Sequence, residues 1–151
     1  MKRNAFTLVE LIFVIVIIGV LAAVAVPQFK NLKQNAEVKA MIKTTIDTAQ
    51  SAANAAVNQM DLEDNASVVL SDLVRLNGKG WSYDANDDNG TYSFQSNGNT
   101  VASIHLDTDN RTVNYWIECE NFQDSISQQK CQDDLNTTDA NDPDVNATIS
   151  F

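Results

Sequence analysis

Histidine and cysteine are almost missing from this chain: 151 residues include one His, His105, and two Cys, Cys119 and Cys131. A structural zinc site draws four ligands from closely spaced Cys and His, and that set is not available. With a single His and no nucleophile at a recognisable spacing from it, no Ser/His/acid arrangement emerges. The five glycines form no phosphate-cradling run. No enzyme is therefore expected. Basic residues are scarce in the later two thirds, where Arg75, Lys79, Arg111 and Lys130 face eighteen acids beyond residue 43. Such a field repels phosphate backbones, so general nucleic-acid binding is not expected, whereas solubility or divalent-cation binding is. Charge of either sign is absent from residue 11 to residue 26.

That uncharged run is the most informative stretch present. The opening sequence MKRNAFTLVELIFVIVIIGVLAAVAVP places a short basic leader before an apolar segment carrying one acid, Glu10, one glycine, Gly19, and one proline, Pro27. From Phe6 it is long enough to cross a bilayer core, which takes about 20 helical residues. An acid in such a span costs on the order of 3 kcal/mol even on mild insertion scales, and so marks a functional contact. A secretory signal has a shorter apolar region, roughly 7–15 residues, cut on its far side. Here the natural cut lies before the apolar run, between Ala5 and Phe6.

The segment AFTLVELIFVIVIIGVLAAVAVPQF resembles the N-terminus of type IV prepilins and of the related type II secretion pseudopilins. The resemblance covers about the first 35 residues. It implies removal of residues 1–5 by a membrane prepilin peptidase, which also methylates the new amine of Phe6. Glu10 is then the acid four residues on, and Gly19 and Pro27 match the helix-loosening positions. One departure is Ala5, where the family usually has Gly. Cleavage would give Phe6 an amine with a reference pKa near 7.7–8.0. In a low-dielectric setting that cation and the Glu10 carboxylate of a neighbouring copy would neutralise each other, since a buried ion needs a partner. Such a pair fixes axial register, as a buried polar residue does in a coiled coil. The alternative is a carboxylate that snorkels to headgroup depth.

The resemblance implies a single-pass inner-membrane precursor with a periplasmic head, then a homo-oligomeric helical filament built by an assembly platform and its ATPase. The expected domains are a leader at 1–5, a membrane and assembly helix at 6–27, and a globular part at 28–151. Two branches fit: a type IV pilin, extracellular once assembled, and a type II secretion pseudopilin confined to the periplasm. A binding module displayed on the filament for adhesion or DNA uptake is a second class, with Trp81, Tyr83 and the cysteine loop as its surface. Topology carries one conflict. Lys2 and Arg3 favour a cytoplasmic N-terminus, but Lys30, Lys33, Lys39 and Lys43 crowd the other flank.

Beyond Pro27 a three- to four-residue period continues through Phe29, Leu32, Ala36, Ile42, Ile46, Ala49, Ala53, Ala56 and Met60, one buried stripe of a continuing helix. Pro27 lacks a backbone donor and is expected to loosen that helix without ending it. A second short helix is expected over 68–76, stopped at Gly78. Aromatic and β-branched runs at 81–84, 91–95, 101–106 and 112–119 read as strands separated by Asn/Asp/Gly turns. Short links imply antiparallel neighbours. The expected fold is α+β: a long N-terminal helix packed on a three- to four-stranded antiparallel sheet, with 132–145 an irregular polar tail.

Cys119 and Cys131 are read as a disulfide closing a small loop, worth roughly 3 kcal/mol in the loop-entropy model and suited to the periplasm. Two free thiols are the alternative. Calcium is the one cofactor the sequence suggests. Asp84, Asn86 and Asp88 open like a calcium loop, but Gly90 comes one residue late and no twelfth-position Glu follows. Asp133, Asp134, Asp139, Asp142 and Asp144 form a second acidic set, with Asp133, Asp139 and Asp142 the favoured ligands, in the region where major pseudopilins as a family hold calcium. A solvated Asx turn is the competing reading. Finally, Asn-x-Ser/Thr triplets occur at Asn65, Asn89, Asn110, Asn136 and Asn146. All but Asn110 have an acid two residues upstream, which resembles the extended acceptor pattern of periplasmic N-glycosylation in some bacteria.

Overall fold

A computed structural model describes residues 7–63, 67–137 and 144–151. The chain divides into two units, Met1–Gln34 and Asn35–Phe151. Helix α1, Leu8–Val57, contributes to both. Its sequence explains its length: between Thr7 and Val57 only Gly19 and Pro27 oppose a helix, and they stand alone. Pro27 lies inside the helix, as expected, although its ring removes one ladder donor. A π-helical turn, Asn58–Leu62, follows.

In the first unit the large apolar side chains are exposed, from Leu8 to Leu32. This corrects the expected stripe at its start, because Phe29 and Leu32 are 70% and 63% exposed and Ala36 is exposed as well. Within the second unit the buried residues of α1 are Val38, Met41, Thr45, Ala49, Ala52, Ala53 and Ala56. Ile42 and Ile46 flank that line half-buried. The line favours small side chains because the helix backbone lies close to a sheet. Thr45 fits there by donating its hydroxyl to the Met41 carbonyl at 2.9 Å, which satisfies the polar group on burial.

The sheet has five strands: β1 Trp81–Asp84, β2 Thr91–Ser96, β3 Asn99–Asp107, β4 Thr112–Ile117 and β5 Val145–Ser150. They pair antiparallel in chain order β1-β2-β3-β4-β5. The first four match the expected runs within about two residues. The fifth raises the expected count, since β5 lies in the polar C-terminal stretch and adds to the outside of β4. Its alternation, Val145, Ala147 and Ile149 against exposed Asn146, Thr148 and Ser150, is the period-two pattern of a half-buried strand.

Two packed clusters hold the second unit. In one, Ala49, Ala52, Ala53 and Ala56 meet Leu70, Ile104, Leu106 and Val113. In the other, Val38 and Met41 meet Val101, Ile117, Phe122 and the two cysteines. The helix expected over 68–76 shrinks to a single turn, α2 Leu70–Leu73. Val69 before it and Val74 after it are extended, and Tyr92 donates its hydroxyl to the Val74 carbonyl at 3.1 Å, holding the segment as a strap. The tail expected to be irregular carries the end of a third helix, α3 Ser125–Leu135. Asp124 caps its start by accepting from the Ser127 N–H at 2.8 Å, and Asn136 ends it in the left-handed conformation at φ 56°.

Candidate functional site

The first turn of α1 is a closed hydrogen-bond box. Thr7 donates its backbone N–H and its hydroxyl to Oε2 of Glu10 at 2.9 and 2.8 Å. The Glu10 N–H returns a bond to the Thr7 hydroxyl oxygen at 3.2 Å. This is the capping box T-x-x-E, in which N-cap Thr and third-position Glu satisfy each other's orphan donors. Sequence reasoning singled out Glu10 and missed Thr7, although the Thr7-Leu8-Val9-Glu10 spacing carried the signal. The acid therefore has a local task besides any contact with a neighbour. Both Thr7 bonds fall on one carboxylate oxygen, and among the described residues no donor is bonded to Oε1.

Around Glu10 the surface is apolar. Leu8, Val9, Leu11 and Phe13 are each more than 60% exposed. Residues Leu8–Leu62 form a helix long and apolar enough, by length and composition, to cross a membrane. Gly19 lies within this exposed surface with open space where a Cβ would stand. Ala5 and Phe6, the expected processing pair, lie outside the described residues.

The cysteines expected to pair do so. Cys119 and Cys131 form a disulfide with Cα atoms 5.5 Å apart, and both are fully buried. The enclosed segment is not a loose loop, because most of it is α3. Asp144, expected as a calcium ligand or as the acid upstream of Asn146, closes this region: its Oδ2 accepts from the Cys119 N–H at 2.6 Å and its Oδ1 from the Thr137 hydroxyl. One carboxylate thus ties the strand before the first cysteine, the end of α3 and the start of β5.

The expected calcium ligands are distributed less favourably. Asp84 accepts from the N–H and side-chain amide of Asn86 at 2.9 and 3.1 Å, an Asx turn. Asp87 accepts from the Thr91 hydroxyl and lies 3.4 Å from His105 Nδ1, so it belongs to the sheet face. Asp139 and Asp142 lie outside the described residues. Among the described residues no group of three or more His, Cys, Asp or Glu side chains forms a metal cage. Nearby, the side-chain amide of Asn110, and then its backbone N–H, hold the Asp107 carboxyl below the usual carboxylate range. Trp81 and Tyr83, expected as a contact surface, are half-buried, the one edge-on to Phe94 and the other tilted on Tyr92.

Comparison with known proteins bears on the same N-terminal region. Residues 1–26 match the family model of the prokaryotic N-terminal methylation motif. The type IV major fimbrial protein FimA of Dichelobacter nodosus is 42% identical over 43 residues, 28% of this chain and 28% of FimA. The chain therefore spans under a third of the FimA length it matches. The type IV narrow pilus major component PilA5 of Thermus thermophilus is 33% identical over 113 residues, covering 75% of this chain and 88% of PilA5. No solved structure gives a significant match.

Proposed function

The chain belongs to the type IV pilin family, and from that premise we propose that it is a structural subunit of a type IV pilus filament. Its precursor is cut between Ala5 and Phe6 by a prepilin peptidase, which methylates the Phe6 amine. Residues 6–27 hold it in the inner membrane with the head on the periplasmic side, until an assembly platform and its ATPase feed it into the filament. The observation that carries this reading is the exposed apolar surface of α1 from Leu11 to Val26, preceded by the Thr7–Glu10 box. Exposed apolar area of this extent needs lipid or protein against it. The same helix satisfies both states in turn, acyl chains first and other copies of α1 afterwards.

Within the filament, Glu10 pairs with the methylated Phe6 amine of a neighbour. Oε1 takes that donor while Oε2 keeps the capping box, so assembly adds a partner to the acid without uncapping the helix. Two charges that each resist burial alone become tolerable together and fix the axial offset between copies. Changing Glu10 to Ala in the native host tests this. The variant is expected to be processed, with N-terminal sequencing starting at methylated Phe6, and to fail in filament formation by electron microscopy. Normal filaments from Glu10→Ala would end the pairing model, and a mature N-terminus at Met1 would end the prepilin reading.

A further inference from the structure

We propose that Asn146 is an N-glycosylation site and that Trp116 is the platform on which the attached sugar rests. The structure separates the five Asn-x-Ser/Thr triplets. Asn65 lies outside the described residues. Asn89 is half-buried, and its triplet's hydroxyl, Thr91, is bonded to its own upstream acid, Asp87, and to His105 at 2.9 Å. Asn110 lacks the upstream acid and gives its side-chain amide to Asp107 at 2.7 Å. Asn136 is exposed at the end of α3, but Thr138, which completes its triplet, lies outside the described residues. Asn146 has Asp144 upstream and Thr148 downstream, is exposed, and has no hydrogen bond to its carboxamide among the described residues.

Its surroundings are what a bound sugar requires. Asn146 lies on the edge strand β5, opposite Trp116 of β4 in the register. Residues directly opposite share a face of the sheet. Val113, Tyr115 and Ile117 of β4 face the core, so the alternation turns Trp116 to the other side. That side continues from Trp116 to Ser103 and then Ser93 through the register. On this face Ser103 is buried and Trp116 half-buried, so the indole keeps part of its surface open beside exposed Asn146. An apolar ring flanked by short hydrogen-bonding groups matches a pyranose, whose C–H face stacks on an aromatic plane and whose hydroxyls meet the polar rim.

In the modification the carboxamide nitrogen of Asn146 bonds to the anomeric carbon of an oligosaccharide carried on a lipid diphosphate. The bond from that carbon to the diphosphate breaks, the diphosphate leaves with the electron pair, and the amide proton passes to a base of the transferring enzyme. This inference rests on the periplasmic placement of the head proposed above. Its test is the intact mass and peptide map of mature protein from the native host, with the oxidation state of Cys119 and Cys131 measured on the same sample. The expected result is a sugar mass on the Asn146 peptide that disappears in Asn146→Gln. An unmodified Asn146 peptide beside an intact disulfide overturns the site and leaves the placement standing; an unmodified peptide beside free thiols overturns both. For the platform, Asn146→Gln is expected to lower Tm in the native background and to leave Tm unchanged in a Trp116→Ala background. Equal shifts in the two backgrounds overturn the stacking.

Discussion

Single residues carry more of this design than their exposure suggests. Gly90 is a case: at φ 89° it stands in a region that L side chains rarely adopt, and a Cβ there would meet Tyr83 Oη at 2.1 Å. Its N–H and carbonyl also close the turn, to the Asp87 carbonyl at 2.6 Å and from Leu106 at 3.5 Å. Gly90→Ala is expected to lower stability by about 1–3 kcal/mol, read as a fall in the thermal midpoint of the detergent-solubilised protein. Asp107 yields a prediction in pH. A carboxyl whose folded-state pKa is lowered contributes stability above its unfolded value, near 3.9 for Asp, and loses it as pH falls through the folded value. The stability curve of the native protein should therefore fall below about pH 4. Asp107→Asn should flatten that part of the curve, because Asn110 then has no carboxylate to hold. Denaturant titrations at several pH values check this. At this scale the sequence disclosed Glu10 through its strangeness, a charge in an apolar run. Thr7 and Asp144 are ordinary residues in polar company, and their roles appear only when their partners are placed.

Elements that a sequence discloses are those whose pattern matches their burial. α1 and β1 to β4 were legible because apolar runs, β-branched pairs and Asn/Asp/Gly turns agree with the burial they receive. α3 was not, because SISQQKCQDDL is polar almost throughout and buries mainly Ser127 and Cys131. Its stability comes from caps, from the disulfide and from the neighbouring carboxylate, none of which is a periodic signal. β5 was missed for a different reason: Val145, Ala147 and Ile149 alternate correctly but sit in polar company, and the strand is placed by its pairing with β4, with Asp144 just before it held by the Cys119 N–H. These dependencies predict that α3 and β5 loosen together. Cys119→Ser with Cys131→Ser should reduce stability by roughly 3 kcal/mol in the loop-entropy model. Hydrogen exchange should accelerate first in α3 and β5, while β2 and β3, paired on both sides, keep their protection. Uniform acceleration across all five strands would show that the bridge stabilises the sheet as one unit.

At the scale of the whole molecule the two ends of the chain obey different solvents. Every buried apolar residue among the described ones lies at Val38 or beyond, and both packed clusters are built from residues of the second unit alone. Exposed apolar residues concentrate before Asn35, with Leu62 and Ile126 the exceptions. The second unit thus carries a complete core of its own, and its acidic surface favours water. A chain beginning at Asn35 is expected to fold without detergent, to form the Cys119–Cys131 bridge under oxidising conditions, and to unfold cooperatively near the midpoint of the full mature protein. It should remain monomeric by sedimentation, because the exposed apolar surface of α1 before Asn35 has been removed. The mature full-length chain should need detergent until it is assembled. An Asn35 truncation that aggregates or exposes its cysteines would show that α1 before Asn35 helps build the head. A truncation that still forms filaments would show that subunits are held by their heads, which would remove the apolar half of α1 from its proposed place as the filament core.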